Sequence, residues 1–170
     1  MKKYTALTLI FFMVFSISFG QTKKEKKAAK SLKEYEQMKE VISGEAYDFQ
    51  AEWATTLQGR RINLTSNANF MRIRKDSANI YLPYFGQSSS GGVAMTTNGG
   101  IEFSGLMQDY KVSYDDKKQK IVVQFNANSK NERYQFNMTV FKAGNTIMNV
   151  NSNYRTGIKY EGNTRKPKPE

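Results

Sequence analysis

An α+β fold, mainly β, is predicted for this chain: an N-terminal helix followed by an antiparallel β-meander that closes into a sandwich or barrel-like sheet. Three observations predict it. Apolar residues recur every three or four positions from Ala28 to Ile42, then every second position after Tyr47. Turn-forming residues break the second region at short intervals. The 170 residues, 39% hydrophobic and 13% aromatic, supply material for one packed core.

The chain opens with Lys2 and Lys3, the apolar run "ALTLIFFMVFSISF" and the small residues around Ser18-Phe19-Gly20. This is the pattern of a signal peptide over 1–20, with cleavage near Gly20 leaving Gln21 first. The apolar run is shorter than the roughly 20 residues a membrane span needs, so no span is expected once the signal is removed. The expected location is periplasmic or secreted. There is no cysteine, which excludes a disulfide scaffold and a lipid-modified cysteine anchor. Net charge is +11, lowered by two to +9 when Lys2 and Lys3 leave, and much of the excess lies at the two ends.

Residues 21–44 are read as a basic linker and helix. Ala28, Leu32, Tyr35, Met38 and Ile42 align on one narrow face, and Gly44 stands where a helix stops. Residues 45–164 are read as the β domain. Strands are predicted in "YDFQAEWATTL", "FMRIRKDSANIYL", "IEFSG", "DYKVSYDD", "KIVVQFNAN", "RYQFNMTVFKAG", "NTIMNVNSNY" and "GIKYEG". The alternation of Tyr134, Phe136, Met138 and Val140 with Gln135, Asn137 and Thr139 marks a half-buried antiparallel strand. Gln58-Gly59-Arg60, Lys75-Asp76-Ser77, Asn98-Gly99-Gly100, Asp115-Asp116-Lys117 and Ala143-Gly144-Asn145 supply the turns. "NTRKPKPE" reads as a mobile end, with 165–170 as a flexible basic tail.

From Leu82-Pro83-Tyr84-Phe85-Gly86 the chain resembles an exported family of the Bacteroidota, domain-of-unknown-function family 4251. The likeness runs from about Ala46 to Gly162. It includes Phe49, Ala51, "RINLTS" at 61–66, Asp76, Gly99-Gly100-Ile101-Glu102-Phe103, Asp109-Tyr110, Val150, Ser152, Arg155, Ile158, Tyr160 and Gly162. The family often has a basic residue after the Tyr-Phe-Gly, where this chain has Gln87 and Ser88, so no anion-binding role carries over. The resemblance implies export and an antiparallel α+β domain, and it implies no activity.

Catalysis is poorly provisioned. Without histidine or cysteine, the common nucleophile–base pairs and most transition-metal sites lack their usual parts, so no catalytic residue, metal ligand or cofactor is assigned. Glu102 and Asp109 are the carboxylates for an alternative reading, a hydrolase acting on envelope polymer. The favoured site is the Pro83 loop. Proline ends or edges a strand, Gly86 permits positive φ, and "QSSSGG" follows as a flexible flap. Tyr81, Tyr84, Phe85 and Gln87, with Arg155 and Tyr160 from the C-terminal region, are the candidate ligand-binding residues. Aromatic faces beside small polar donors suit a glycan, a peptide or a small apolar ligand. The competing reading makes Tyr84 and Phe85 plugs of the core, and Arg155 half of a structural ion pair with Asp76 or Glu102.

Asp76-Ser77-Ala78 matches the acidic, hydroxyl, small-residue signal for O-glycosylation in the Bacteroidota, which nominates Ser77. The asparagine sequons at Asn63 and Asn137 fall in predicted strands of a bacterial chain and are discounted. Lys23 to Lys30 lack interleaved aromatics, and export argues against a nucleic acid partner. The leading expectation is a non-enzymatic envelope protein that binds a ligand or acts in assembly, with an envelope protein as a further candidate partner. A purely structural scaffold is the third reading.

Overall fold

The computed structural model describes residues 22–87, 99–129 and 132–167. Residues 1–20, read as a signal peptide, and the "SSSGG" stretch, read as a flap, lie outside them. The chain divides between Ser31 and Leu32, inside helix α1 (Lys23–Ser43), into a first and a second unit.

Helix α1 starts earlier than the basic composition suggests, because Thr22 and Glu25 form a capping box. Thr22 N donates to the Glu25 carboxylate at 2.9 Å and Glu25 N donates to Thr22 Oγ1 at 3.3 Å, satisfying two donors that a helix start leaves open. Lys23 to Lys30 are therefore helical. Tyr35, Met38, Val41 and Ile42 are buried, whereas Leu32, placed on the same predicted stripe, is half exposed. The left-handed residue ending the helix is Glu45 (φ 51), one position past Gly44.

In the second unit ten antiparallel strands follow: β1 (Ala46–Thr56), β2 (Arg61–Asn63), β3 (Phe70–Arg74), β4 (Ser77–Leu82), β5 (Ile101–Leu106), β6 (Gln108–Asp115), β7 (Lys120–Asn128), β8 (Arg133–Phe141), β9 (Asn145–Ser152) and β10 (Ile158–Arg165). Their order is β5-β4-β3-β1-β10-β9-β8-β7-β6, with β2 on the same edge of β1 as β3. β5 and β6 are one continuous stretch interrupted at Met107. Its first half pairs with β4 and its second with β7, so the sheet is a nearly closed barrel. Met107 N donates to Asp76 O at 2.8 Å across the bend.

The alternation read in the sequence points one row inward on every strand but the three-residue β2, and on β6 that row, Tyr110 and Val112, is only half-buried. Tyr47 and Phe49, Ile73 and Ile80, Phe125, Phe136, Met148 and Tyr160 are all buried and fill the interior with the α1 residues. Gly162 sits where β1 bulges between Ala51 and Trp53. A Cβ there would overlap the Gln50 carbonyl oxygen and lie 2.8 Å from Ala51 Cα, so only glycine lets the two backbones meet. β10 continues through Asn163, Thr164 and Arg165, residues read as the start of a mobile end. Thr164 is buried and shares a 2.7 Å hydroxyl hydrogen bond with Thr146.

Candidate functional site

Alternation along β4 separates the aromatics of the opening motif. Ile80 and Leu82 point inward and Tyr81 points outward, while Pro83, having no N–H, ends the ladder. Tyr84 then turns toward the β9–β10 connection. Its hydroxyl lies 2.9 Å from the carbonyl oxygens of both Gln87 and Thr156 and 3.0 Å from Thr156 Oγ1, a hydroxyl that can donate in return. Thr156 N donates to Gln87 O at 3.0 Å and Gln87 N donates to Thr156 Oγ1 at 3.1 Å. Tyr84 and Gln87 are thus stitched to Thr156 in the β9–β10 connection.

Gly86 is not in the left-handed region. Its role is space: an added Cβ would collide with the Tyr84 hydroxyl and stand 2.7 Å from Thr156 Oγ1. Tyr160, fully buried, donates its hydroxyl to Pro83 O at 2.8 Å. Burial holds the Tyr160 phenol well above its ordinary pKa, so it remains a donor.

Arg155 pairs with Glu132, and not with Asp76 or Glu102. Its Nε lies 3.0 and 3.1 Å from the two Glu132 oxygens, and both side chains are over nine-tenths buried. Nη1 donates to the carbonyls of Gly99 (3.1 Å) and Gly100 (3.0 Å), and the guanidinium lies 5.1 Å from the Tyr84 ring centre. Glu132 also accepts from Tyr134 Oη at 2.7 Å and from Ser152 Oγ. Burial first, and the bond to Glu132 second, push the Tyr134 phenol up. This network ties β8, β9, the start of β5 and the Pro83 loop together, with its charges matched internally.

Tyr81 belongs to a different place. Its register partner on β3 is Phe70, with ring centres 6.2 Å apart, and the Arg72 guanidinium sits 4.5 Å from the Phe70 centre. The two rings line an outward groove of about 710 Å³, together with Asn79, Glu102, Ser104 and Asn128. Phe85 (36% exposed) and Gln87 lie on the exposed surface of the Pro83 loop. Asp109, the other carboxylate of the hydrolase reading, lines a separate groove and accepts from Asn126 Nδ2 at 2.8 Å. Ser77 is half-buried, and its hydroxyl donates to Asp76 Oδ1 at 3.0 Å. Among the described residues there is no cluster of three or more acidic side chains that could hold a metal, and no helix long and apolar enough to cross a membrane.

Sequence reasoning named Tyr81 and missed Phe70, although a hairpin turning at Lys75-Asp76 sets these two residues opposite each other. It also missed Glu132, which stands just before β8 and is buried against Arg155.

The family model for a domain of unknown function, DUF4251, matches residues 29–164. A crystal structure of a DUF4251 family protein from Bacteroides eggerthii DSM 20697 superposes with a TM-score of 0.60 at 20% identity, covering 81% of this chain and 91% of that one. At that identity the likeness speaks for the fold. No curated protein matches the chain.

Proposed function

The chain belongs to the DUF4251 family, a domain of unknown function, and on that premise we propose that it is an exported, non-enzymatic envelope protein that binds a glycan in the Phe70–Tyr81 groove. The observation that carries the reading is the outward aromatic pair bordered by Asn79, Glu102, Ser104 and Asn128. Sugar rings stack on aromatic faces through their C–H surfaces and exchange hydrogen bonds with amides, hydroxyls and carboxylates at the rim. An apolar ligand is a poorer match, because the interior is occupied by the protein's own side chains and the groove is open and polar-edged.

In this reading residues 1–20 are removed on export and the protein works in the periplasm or outside the cell. Tyr84, Arg155 and Tyr160 act as positioning residues that hold the Pro83 loop, and Phe85 and Gln87 touch whatever extends across it. Ser77 is the proposed O-glycosylation site. Intact mass of protein from its native host checks both modifications, giving a chain beginning at Gln21 and heavier than its polypeptide; the bare mass removes the glycosylation assignment.

Calorimetric titration with soluble peptidoglycan fragments tests the binding reading. Binding should weaken at least about tenfold in Tyr81→Ala, the loss of one stacking platform, while stability changes by less than about 1 kcal/mol. Absence of binding, or an affinity indifferent to Tyr81, overturns it. Turnover of the fragments that disappears in Glu102→Gln and Asp109→Asn would establish the hydrolase instead.

A further inference from the structure

The outward face of β6 to β9 carries a second feature that the aromatic groove does not explain. Register sets Lys111 opposite Gln124, Gln124 opposite Asn137, and Asn137 opposite Asn149. A parallel row sets Asn126 opposite Gln135 and Gln135 opposite Asn151. Six amides thus stand on three adjacent strands, about 4.8 Å apart across the sheet and about 6.8 Å along it. They line a trough of about 600 Å³.

Three physical points argue that this face is not simply solvated. Asparagine is disfavoured in strands, and Asn126, Asn137, Asn149 and Asn151 occupy strand interiors where threonine would serve the ladder better. Departures from local preference are expected where function requires them. The trough is also nearly free of charge in a chain of net charge +11, holding only Lys111 and Asp109. Finally, among the described residues no side-chain hydrogen bond engages Gln124, Gln135, Asn137, Asn149 or Asn151. Each presents two amide donors and a carbonyl acceptor.

We propose that this amide trough is a second binding surface, for a neutral oligosaccharide chain. The inference rests on the glycan reading above and extends it from one stacking site to a polymer. Hydroxyl groups donate and accept, as amides do, so a row of sugar hydroxyls can be met without charge. A phosphate- or carboxylate-bearing polymer would call for arginines that the trough lacks. The two surfaces meet on β7: Asn126 lines the trough, and Asn128, on the same face two residues on, lines the aromatic groove. Asn128 Nδ2 donates to Gln108 Oε1 at 2.7 Å on the ridge between them. A chain stacked on Tyr81 can pass over that ridge into the trough.

Affinity electrophoresis of the mature chain in native gels containing soluble xylan, galactomannan, laminarin or dextran, with heparin as the charged control, tests the proposal. The variant is Asn137→Thr with Asn149→Thr, which should keep or raise stability because threonine prefers strands. Retardation by at least one neutral polysaccharide should weaken about tenfold or more in this variant, the loss of one or two hydrogen bonds. If the amide variant is retarded like the unmodified chain while Tyr81→Ala is not, the stacking site stands and the trough falls. If heparin alone retards the protein, or no gel does, the trough proposal is overturned. Peptidoglycan titration separately decides the groove.

Discussion

Glu132 and Arg155 lie buried with their hydrogen-bonding atoms engaged by Tyr134, Ser152 and the Gly99–Gly100 carbonyls, whereas Asn137 and Asn149 stand outward on β8 and β9 without a partner among the described side chains. Both sets are polar and both sit within the same barrel. The difference is saturation. A buried ion pair is tolerable only when its remaining donors and acceptors are met, and one so met has little left to offer a ligand. Outward amides meet only water, which a sugar hydroxyl can replace at small cost. The Pro83 loop falls on the first side of this divide through Tyr84, and the groove at Tyr81 falls on the second.

Substitutions can break the inward network. Glu132→Gln should have the largest effect, about 3–5 kcal/mol measured by denaturant unfolding, because it strands the buried Arg155 charge. A loss under about 1 kcal/mol would mean the network is not a keystone. Gly162→Ala should cost about 3 kcal/mol by forcing β1 and β10 apart at the bulge, with the lower midpoint visible in the same melts.

The smallest effect concerns the loop at Asp116. The Tyr35 hydroxyl, 2.8 Å away, is the main cause that lowers the Asp116 pKa below its ordinary 3.8, with Lys39 contributing next. A carboxylate depressed by folding stabilises fully above its unfolded value. That contribution fades as pH falls through the lower folded value. Stability measured from pH 5 downward should therefore decline less steeply in Asp116→Asn than in the unmodified chain.

Much of the fold was legible because burial in a barrel imposes a period of two, and every strand but one shows it. The exception, β2, has three residues and a single apolar one, Ile62, too short for any period. The helix start was legible in principle: Thr22-Lys23-Lys24-Glu25 is a capping box hidden within a lysine run. The site was harder. Tyr81 was identifiable as an aromatic beside proline, but its direction follows from strand parity and its partner Phe70 from hairpin register. Gly86 shows a second difficulty, since a sequence suggests backbone freedom for a glycine and cannot show that the tyrosine two residues earlier folds back over it. Arg155 shows a third. On paper Asp76 and Glu102 compete for it, and the fold pairs it with neither but with Glu132, the residue just before β8.

The most direct test sets the two tyrosines of one motif against each other, measuring unfolding stability and peptidoglycan-fragment affinity for Tyr84→Phe and Tyr81→Ala side by side. Tyr84→Phe should lose about 1–2 kcal/mol of stability, with the hydrogen bonds that stitch the loop, and keep its affinity. Tyr81→Ala should keep its stability to within about 1 kcal/mol and lose affinity. The reverse pattern, a stable Tyr84→Phe that no longer binds beside a destabilised Tyr81→Ala that does, would contradict the division between a saturated interior and a binding exterior.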